Sequence, residues 1–453
     1  MEGPTRALAR FSSNLRFEDL DPNLIESFKK YLLDGIGCGI FGNKQPWVRI
    51  VNRMIKEERG RRESTLWLER FKGPAPQVAL GLGVMIHSFD FDDYHNAKIH
   101  PGAVVIPAVI SIGERLNAPG RKIIQAMVAG YETMVRVALA TGPNSSRLRG
   151  WHLTGTTGTF GSAAASGNLL GLDEEKMTSA LGLAGTQSSG LWAFNVDGAM
   201  SKRFHPGRSS QSGIIASLLA SKGFKGPSQI LEAEDGGFFK ATSGEANPSL
   251  VFEGLGEKFF SLETNIKPYA CCASIHSSID GILSLKKTYG FTPSEVEKIR
   301  VGTAHGVILQ CGFPYQPKSV LQAQMSLPYC IAVSLLEGKA LIEQFSEKKI
   351  SEPEILHLAK RVEVHLDPEI DRLYPERFAN KVEVTLNNGK RLEIKVESPL
   401  GSFEKPMTFE EVAQKFRSLT QGIIPQEKSQ AIIEKIKKID EIKETQELTK
   451  LLT

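Results

Sequence analysis

Residues 82–102 set the strongest constraint on how this chain can fold. Leu82, Val84, Met85 and Ile86 form an apolar run that leads into His87-Ser88-Phe89-Asp90-Phe91-Asp92-Asp93-Tyr94-His95-Asn96-Ala97-Lys98-Ile99-His100-Pro101-Gly102. A buried helix ending this way carries three carboxylates (Asp90, Asp92, Asp93), three imidazoles (His87, His95, His100) and Lys98 toward the interior. Charges taken out of water need partners, so a large core has to surround them. Carboxylates and imidazoles held together also push each other's pKa values apart, as general acid–base chemistry requires. The competing reading is a solvated acidic loop without chemistry, since titrating clusters mark sites only statistically.

A chain of 453 residues exceeds one small core, and two or three domains are expected. Its 41% hydrophobic and 23% charged content is that of an ordinary globular protein. A net charge of +4 over 55 basic and 51 acidic residues gives no nucleic-acid or membrane footprint. The basic run Glu57–Glu63 is interrupted by acids and reads as a solvated turn. The five cysteines (Cys38, Cys271, Cys272, Cys311, Cys330) include no CxxC pair and no Cys/His ligand spacing. Neither structural zinc nor an iron–sulfur cluster is expected, and the thiols are expected to be reduced. Adjacent cysteines rarely close a relaxed disulfide, so Cys271 and Cys272 read as small buried side chains. The N-terminus lacks an apolar signal region, and no uncharged apolar run approaches the roughly 20 residues that span a bilayer. The expected location is cytoplasmic.

Asp21 and Pro22 predict a helix start, with Leu24, Ile25, Phe28, Leu32 and Ile36 at helical spacing before glycines end the element. Helical patterns follow over Pro107–Leu116 and Ile123–Ala140. Gly161–Gly167, Ala180–Gly190 and Ser209–Ala220 are dense in small residues, which let helices approach closely. After about residue 262 the character changes. Val296–Val301 and Val362–Leu366 alternate as strands, and Lys381–Val396 reads as a hairpin turning at Asn387-Asn388-Gly389. Helical patterns at Ser274–Lys287, Met325–Leu336 and Glu352–Lys360 separate them. From Thr408 the pattern is helical again, and the lysine-rich stretch Ile432–Lys438 reads as a solvated helix face. The expected fold is mainly α: a large helical domain over 1–262 and 402–453, with a smaller α+β domain inserted at 263–401.

Further polar motifs stand out. His152 lies in Gly150-Trp151-His152-Leu153-Thr154-Gly155, a glycine-rich start to a helix where backbone N–H groups could meet an anion. Lys202-Arg203-Phe204-His205 puts two cations and an imidazole between apolar helices, where each needs a partner or a ligand. Lys267-Pro268-Tyr269 followed by His276 opens the α+β segment, and Ser326-Leu327-Pro328-Tyr329 starts a later helix. No glycine-rich loop follows a strand in the pattern of a nucleotide site.

Taken in order, these motifs resemble the MmgE/PrpD family, which includes 2-methylcitrate dehydratase, cis-aconitate decarboxylase and iminodisuccinate epimerase. The resemblance runs through His-Ser-Phe-Asp-Phe-Asp-Asp…His-Pro-Gly, Gly-Trp-His…Gly-Thr and Met200-Ser-Lys-Arg-Phe-His-Pro-Gly207. It continues through Lys267-Pro-Tyr…His276, Ser326…Tyr329 and Pro406-Met-Thr408. It implies a homodimer whose chains each have a helical domain and a smaller α+β lid, with no metal and no organic cofactor. It also implies a small polycarboxylate substrate. Asp90, His100, His152, Lys202 and Lys267 become the expected catalytic set. Asp93, Tyr94, His95, Arg203, Tyr269, His276 and Tyr315 are the expected substrate-binding residues. Tyr94-His95 departs from the Thr-Trp that dehydratases and decarboxylases carry, and Tyr315 is only a loose counterpart of a functional tyrosine.

In this expectation the histidines move protons, Asp90 orients or assists, and the two lysines clamp substrate carboxylates. A hydro-lyase is expected first. Decarboxylation and epimerisation use the same groups, and a non-catalytic binding homodimer is the alternative from another class.

Overall fold

The computed structural model describes residues 2–196, 198–374 and 377–453. The fold is mainly α, and it divides into two compact units: Met1–Thr264 with Val412–Thr453, and Asn265–Glu411.

The first unit is helical. Its helix Pro22–Gly42 starts as the sequence predicts, with the Asp21 carboxylate accepting from the backbone N–H of Leu24 at 2.9 Å. Leu24, Phe28, Leu32 and Ile36 are fully buried. The expectation that glycines end this helix is corrected, because it runs on to Gly42. A Cβ at Gly42 would collide with the carbonyl oxygen of Met85, so the glycines serve close helix approach instead of termination.

Helix Ala75–Ile86 is buried over most of its length and delivers His87 at its C-terminal end. It meets helix Ser201–Ser221 where Gly83 and Gly207 lie backbone to backbone, leaving no room for a side chain on either. That approach brings the start of the second helix, with Lys202, toward the end of the first. Helix Gly102–Leu116 starts five residues before the predicted Pro107 and keeps that proline inside. Helix Gly120–Thr141 is buried on nearly all faces. Its Glu132–Arg136 ion pair (2.7 Å) ties down the chain beyond residue 250, with Arg136 donating to the carbonyls of Val251, Glu253 and Lys258.

The small-residue segments pack as expected. Ser162 donates to the carbonyl of Ser210, Ser209 to that of Gly155, and Ser217 to that of Ala163, at 2.6–2.9 Å. Short hydroxyls thus join helices Leu153–Leu169 and Ser201–Ser221 without spacing them apart.

The second unit holds a four-stranded sheet in the order Val362–Leu366, Val296–Thr303, Asn380–Leu386, Arg391–Val396. The first pair is parallel and the others antiparallel. The predicted hairpin pairs Val382 with Ile394 and Val384 with Leu392, and Gly389 turns it with φ of +80°. Helix His276–Tyr289 covers the sheet, with Gly281 lying against Val382 and Ile394.

Candidate active site

The loop after Ile86 folds back tightly. Asp90 and Lys98 both adopt positive φ (+55° and +61°), which costs a non-glycine residue of order 1 kcal/mol and needs surrounding structure to hold it. That structure is present. Lys415, itself buried and paired with the buried Asp34, donates to the carbonyl of Phe91 at 2.7 Å and lies over its ring. Asp93 is 2% exposed and accepts from the Tyr131 hydroxyl (2.8 Å) and the Gly102 N–H (2.9 Å). A Cβ at Gly102 would sit 2.7 Å from Oδ1 of Asp93. Burial, together with the nearby Asp34 and Asp92, pushes the Asp93 carboxyl well above the usual carboxylate range. Asp93 therefore anchors the loop.

The other charged groups converge. His87 Nδ1 lies 2.8 Å from Oδ2 of Asp92, and both side chains are fully buried. His100 Nδ1 lies 3.3 Å from the same oxygen and 2.9 Å from the carbonyl of Asp93. That carbonyl can only accept, so the Nδ1 of His100 carries a hydrogen and Nε2 is left to face outward. Nε2 stands 3.7 Å from Asp90, whose carboxylate receives the Lys202 ammonium at 3.0 Å. His152 sits behind, with ring centroids 6.2 Å from His87 and 5.2 Å from His205. The Nδ1 atoms of His152 and His205 are 2.9 Å apart, so one donates to the other.

Burial holds His87 down to about 4 in spite of the carboxylate beside it. Burial would raise Asp92, but the imidazoles of His87 and His100 outweigh it and hold it well below its ordinary value. The pair is thus an anion with a neutral imidazole donating to it. His152 is lowered by burial first and then by the neighbouring His87 and Lys202.

Of the residues singled out by sequence, Asp90, His100, His152 and Lys202 come together in the first unit. Arg203 stacks on Trp47 at 4.7 Å from the ring centroid. His95 takes another course: its backbone pairs with Ile99 and its Nδ1 accepts from the Ala97 N–H at 3.0 Å, which braces the turn through Lys98. Tyr94 is half-buried beside it. In the second unit Lys267 is buried, Tyr269 donates to Asp280, and the His276 ring meets Tyr269 edge-on at 5.3 Å. Tyr315 donates to the carbonyl of Ile350 and leans on Tyr329.

Sequence reasoning left His87, Asp92 and His205 out of the candidate set. His205 had a usable signal, lying three residues after Lys202 and so on the same helix face.

His87, Asp92 and His100 also offer three ligand-type atoms within 4.8 Å of one another, a grouping that chain spacing did not reveal. The 2.8 Å His87–Asp92 distance is that of a hydrogen bond, which accounts for the closeness without an ion.

Residues 6–251 match the MmgE/PrpD N-terminal domain and residues 269–441 the MmgE/PrpD C-terminal domain. The chain belongs to the MmgE/PrpD family. It is 30% identical to a cis-aconitate decarboxylase of Aspergillus terreus, over 99% of this chain and 96% of that protein. Identity to the human cis-aconitate decarboxylase is 26%, over 99% and 94%. Identity to the 2-methylcitrate dehydratase of Cupriavidus necator is 23%, over 92% and 90%.

Proposed function

We propose that this protein is a lyase acting on a small polycarboxylate, and that its reaction is the decarboxylation of an unsaturated substrate of the cis-aconitate kind. The array Lys202–Asp90–His100–Asp92–His87 carries this reading. It combines a cation for a substrate carboxylate with an imidazole whose outward nitrogen can deliver a proton. The motif resemblance puts a hydro-lyase first. Fuller identity to the decarboxylases than to the dehydratase favours loss of carbon dioxide instead.

The chemistry is suited to these residues. In a β,γ-unsaturated acid, breaking the bond to the departing carboxylate shifts its electron pair into a new double bond. The original double bond's pair moves onto the carbon beside another carboxylate. That carbon then takes a proton, so one proton enters and one carbon dioxide leaves. Lys202 would hold the carboxylate on which negative charge builds, where a preorganised cation is worth most. His100 would supply the proton from Nε2 when protonated, with Asp92 stabilising the imidazolium. His152, paired with His205, is the second candidate for proton transfer.

No metal or organic cofactor enters this scheme. We carry forward the homodimer on one observation: Leu148, Leu191, Val196 and Met200 are exposed on the first unit. Apolar side chains in such number suit burial against a second copy. The cytoplasmic location remains part of the proposal.

The test is to incubate purified protein with cis-aconitate and, separately, 2-methylcitrate, following carbon dioxide release and proton NMR of the products. Carbon dioxide from cis-aconitate supports the reading. Dehydration of 2-methylcitrate without carbon dioxide would replace it with a hydro-lyase, and no turnover of either would overturn it.

A further inference from the structure

His152 and His205 face each other through the same ring nitrogen. Their Nδ1 atoms are 2.9 Å apart, although 53 positions separate them in the chain. Between two neutral imidazoles such a bond needs a hydrogen on one Nδ1 and a lone pair on the other, so the rings are opposite tautomers. The ring that donates has a bare Nε2, and the ring that accepts has its hydrogen on Nε2. Burial favours the uncharged form of both.

The pair is built into the first unit. His152 caps helix Leu153–Leu169, and His205 lies in the second turn of helix Ser201–Ser221. The His152 N–H donates to the carbonyl of Gly190 at 2.9 Å. A Cβ at Gly190, whose φ is +124°, would stand 3.2 Å from Nδ1 of His205, and one at Gly155 would stand 3.3 Å from its Cβ. Both glycines leave space that His205 takes up. The rings of Trp192 and Phe194 meet His152 edge-on at 5.5 and 5.4 Å, and Phe194 meets His205 the same way at 5.9 Å. His152 is 2% exposed, whereas His205 is partly exposed, so the pair reaches water at His205. At the inner end His152 lies 6.2 Å from His87, which lies 4.6 Å from His100.

We propose that His205 is a positioning residue that also relays: it holds His152 by Nδ1 and passes to it the proton that each turnover consumes. A buried neutral imidazole gives up its Nε2 hydrogen readily only if Nδ1 gains one in the same step, and His205 is placed to supply it. The Nε2 hydrogen of His152 goes to the substrate carbon. The Nδ1 hydrogen of His205 crosses the 2.9 Å bond to Nδ1 of His152, and a proton from water binds Nε2 of His205. One proton enters, one leaves, and both rings are neutral before and after. Exchange with water at each Nε2 between turnovers restores the starting tautomers. This role rests on the proposed lyase function, whereas the tautomeric pair itself does not.

The experiment compares wild-type protein with His205→Asn and His205→Ala, using cis-aconitate as substrate. Asparagine can hold the bond to Nδ1 of His152 but passes no proton, and alanine leaves space for free imidazole. In both variants kcat is expected to fall at least about tenfold with KM within about twofold. Added imidazole is expected to restore kcat in His205→Ala and to leave the wild type unchanged. Wild-type kcat in His205→Asn, or a folded His205→Ala enzyme that imidazole does not rescue, would overturn the relay. Nitrogen-15 NMR of histidine-labelled full-length protein reads the pair without turnover. It is expected to show a hydrogen on Nδ1 of one ring only, with the His152 signals moved in His205→Ala. Hydrogens on Nε2 of both rings, with both Nδ1 atoms bare, would overturn the pair. A wild-type protein that shows the pair but turns over no cis-aconitate would count against the lyase reading and would overturn the relay with it, leaving the pair standing.

Discussion

His87 and Asp92 form a fully buried pair, with Nδ1 of the imidazole 2.8 Å from Oδ2 of the carboxylate, and His100 approaches that same oxygen at 3.3 Å. One carboxylate thus orients two imidazoles. Replacing it by the isosteric amide, Asp92→Asn, keeps the shape but removes the negative charge that both rings share. We expect kcat to fall on the order of 100-fold or more, as for loss of a group that sets a catalytic histidine's tautomer. Steady-state turnover, with circular dichroism to confirm folding, checks this.

The same burial predicts an acid-side loss of stability. His87 and His95 are each held to about 4 in the folded protein, mainly by burial, against an unfolded value of about 6.5. Between those values the unfolded chain binds more protons, so stability rises with pH across that window and falls as pH drops from 6.5 toward 4. Going from pH 7 to 5 should cost about 2 kcal/mol for each histidine. Urea denaturation midpoints at the two pH values measure it, and His95→Gln should remove a substantial part of the difference. An unchanged pH dependence in His95→Gln would contradict it, a comparison in which the opposing effect of the raised Asp93 carboxyl cancels.

The helical domain was legible because Asp21, Pro22 and the apolar spacing after them act locally, and so does the hairpin around Gly389. The site was legible in composition but not in detail. Three aspartates of identical chemistry stand at 90, 92 and 93, and their roles depend on a turn with positive φ at Asp90 and on Tyr131 and Gly102, contacts distant in sequence. Helix length was misread at Gly42 for a similar reason, since close approach to Met85 is a tertiary fact.

Lys202 pairs with Asp90 at 3.0 Å, within reach of His100. Lys202→Ala should lower kcat/KM by a factor corresponding to about 2–4 kcal/mol, with little change in melting temperature. Wild-type kcat/KM in this variant would remove the clamp from the account.

Chelation tests the meaning of the His87–Asp92–His100 grouping. The proposal needs no metal, so activity should survive EDTA followed by dialysis. Loss of activity restored by a single divalent metal would reassign these residues as ligands.

His100 is the group on which the proposed chemistry turns, and His100→Gln tests it most directly. Glutamine keeps size and polarity but transfers no proton at neutral pH. With cis-aconitate as substrate, carbon dioxide release should fall at least about 100-fold, while calorimetric binding of a product analogue stays within about tenfold because the lysine remains. A His100→Gln enzyme that turned over at the wild-type rate would contradict the assignment of His100 as proton donor.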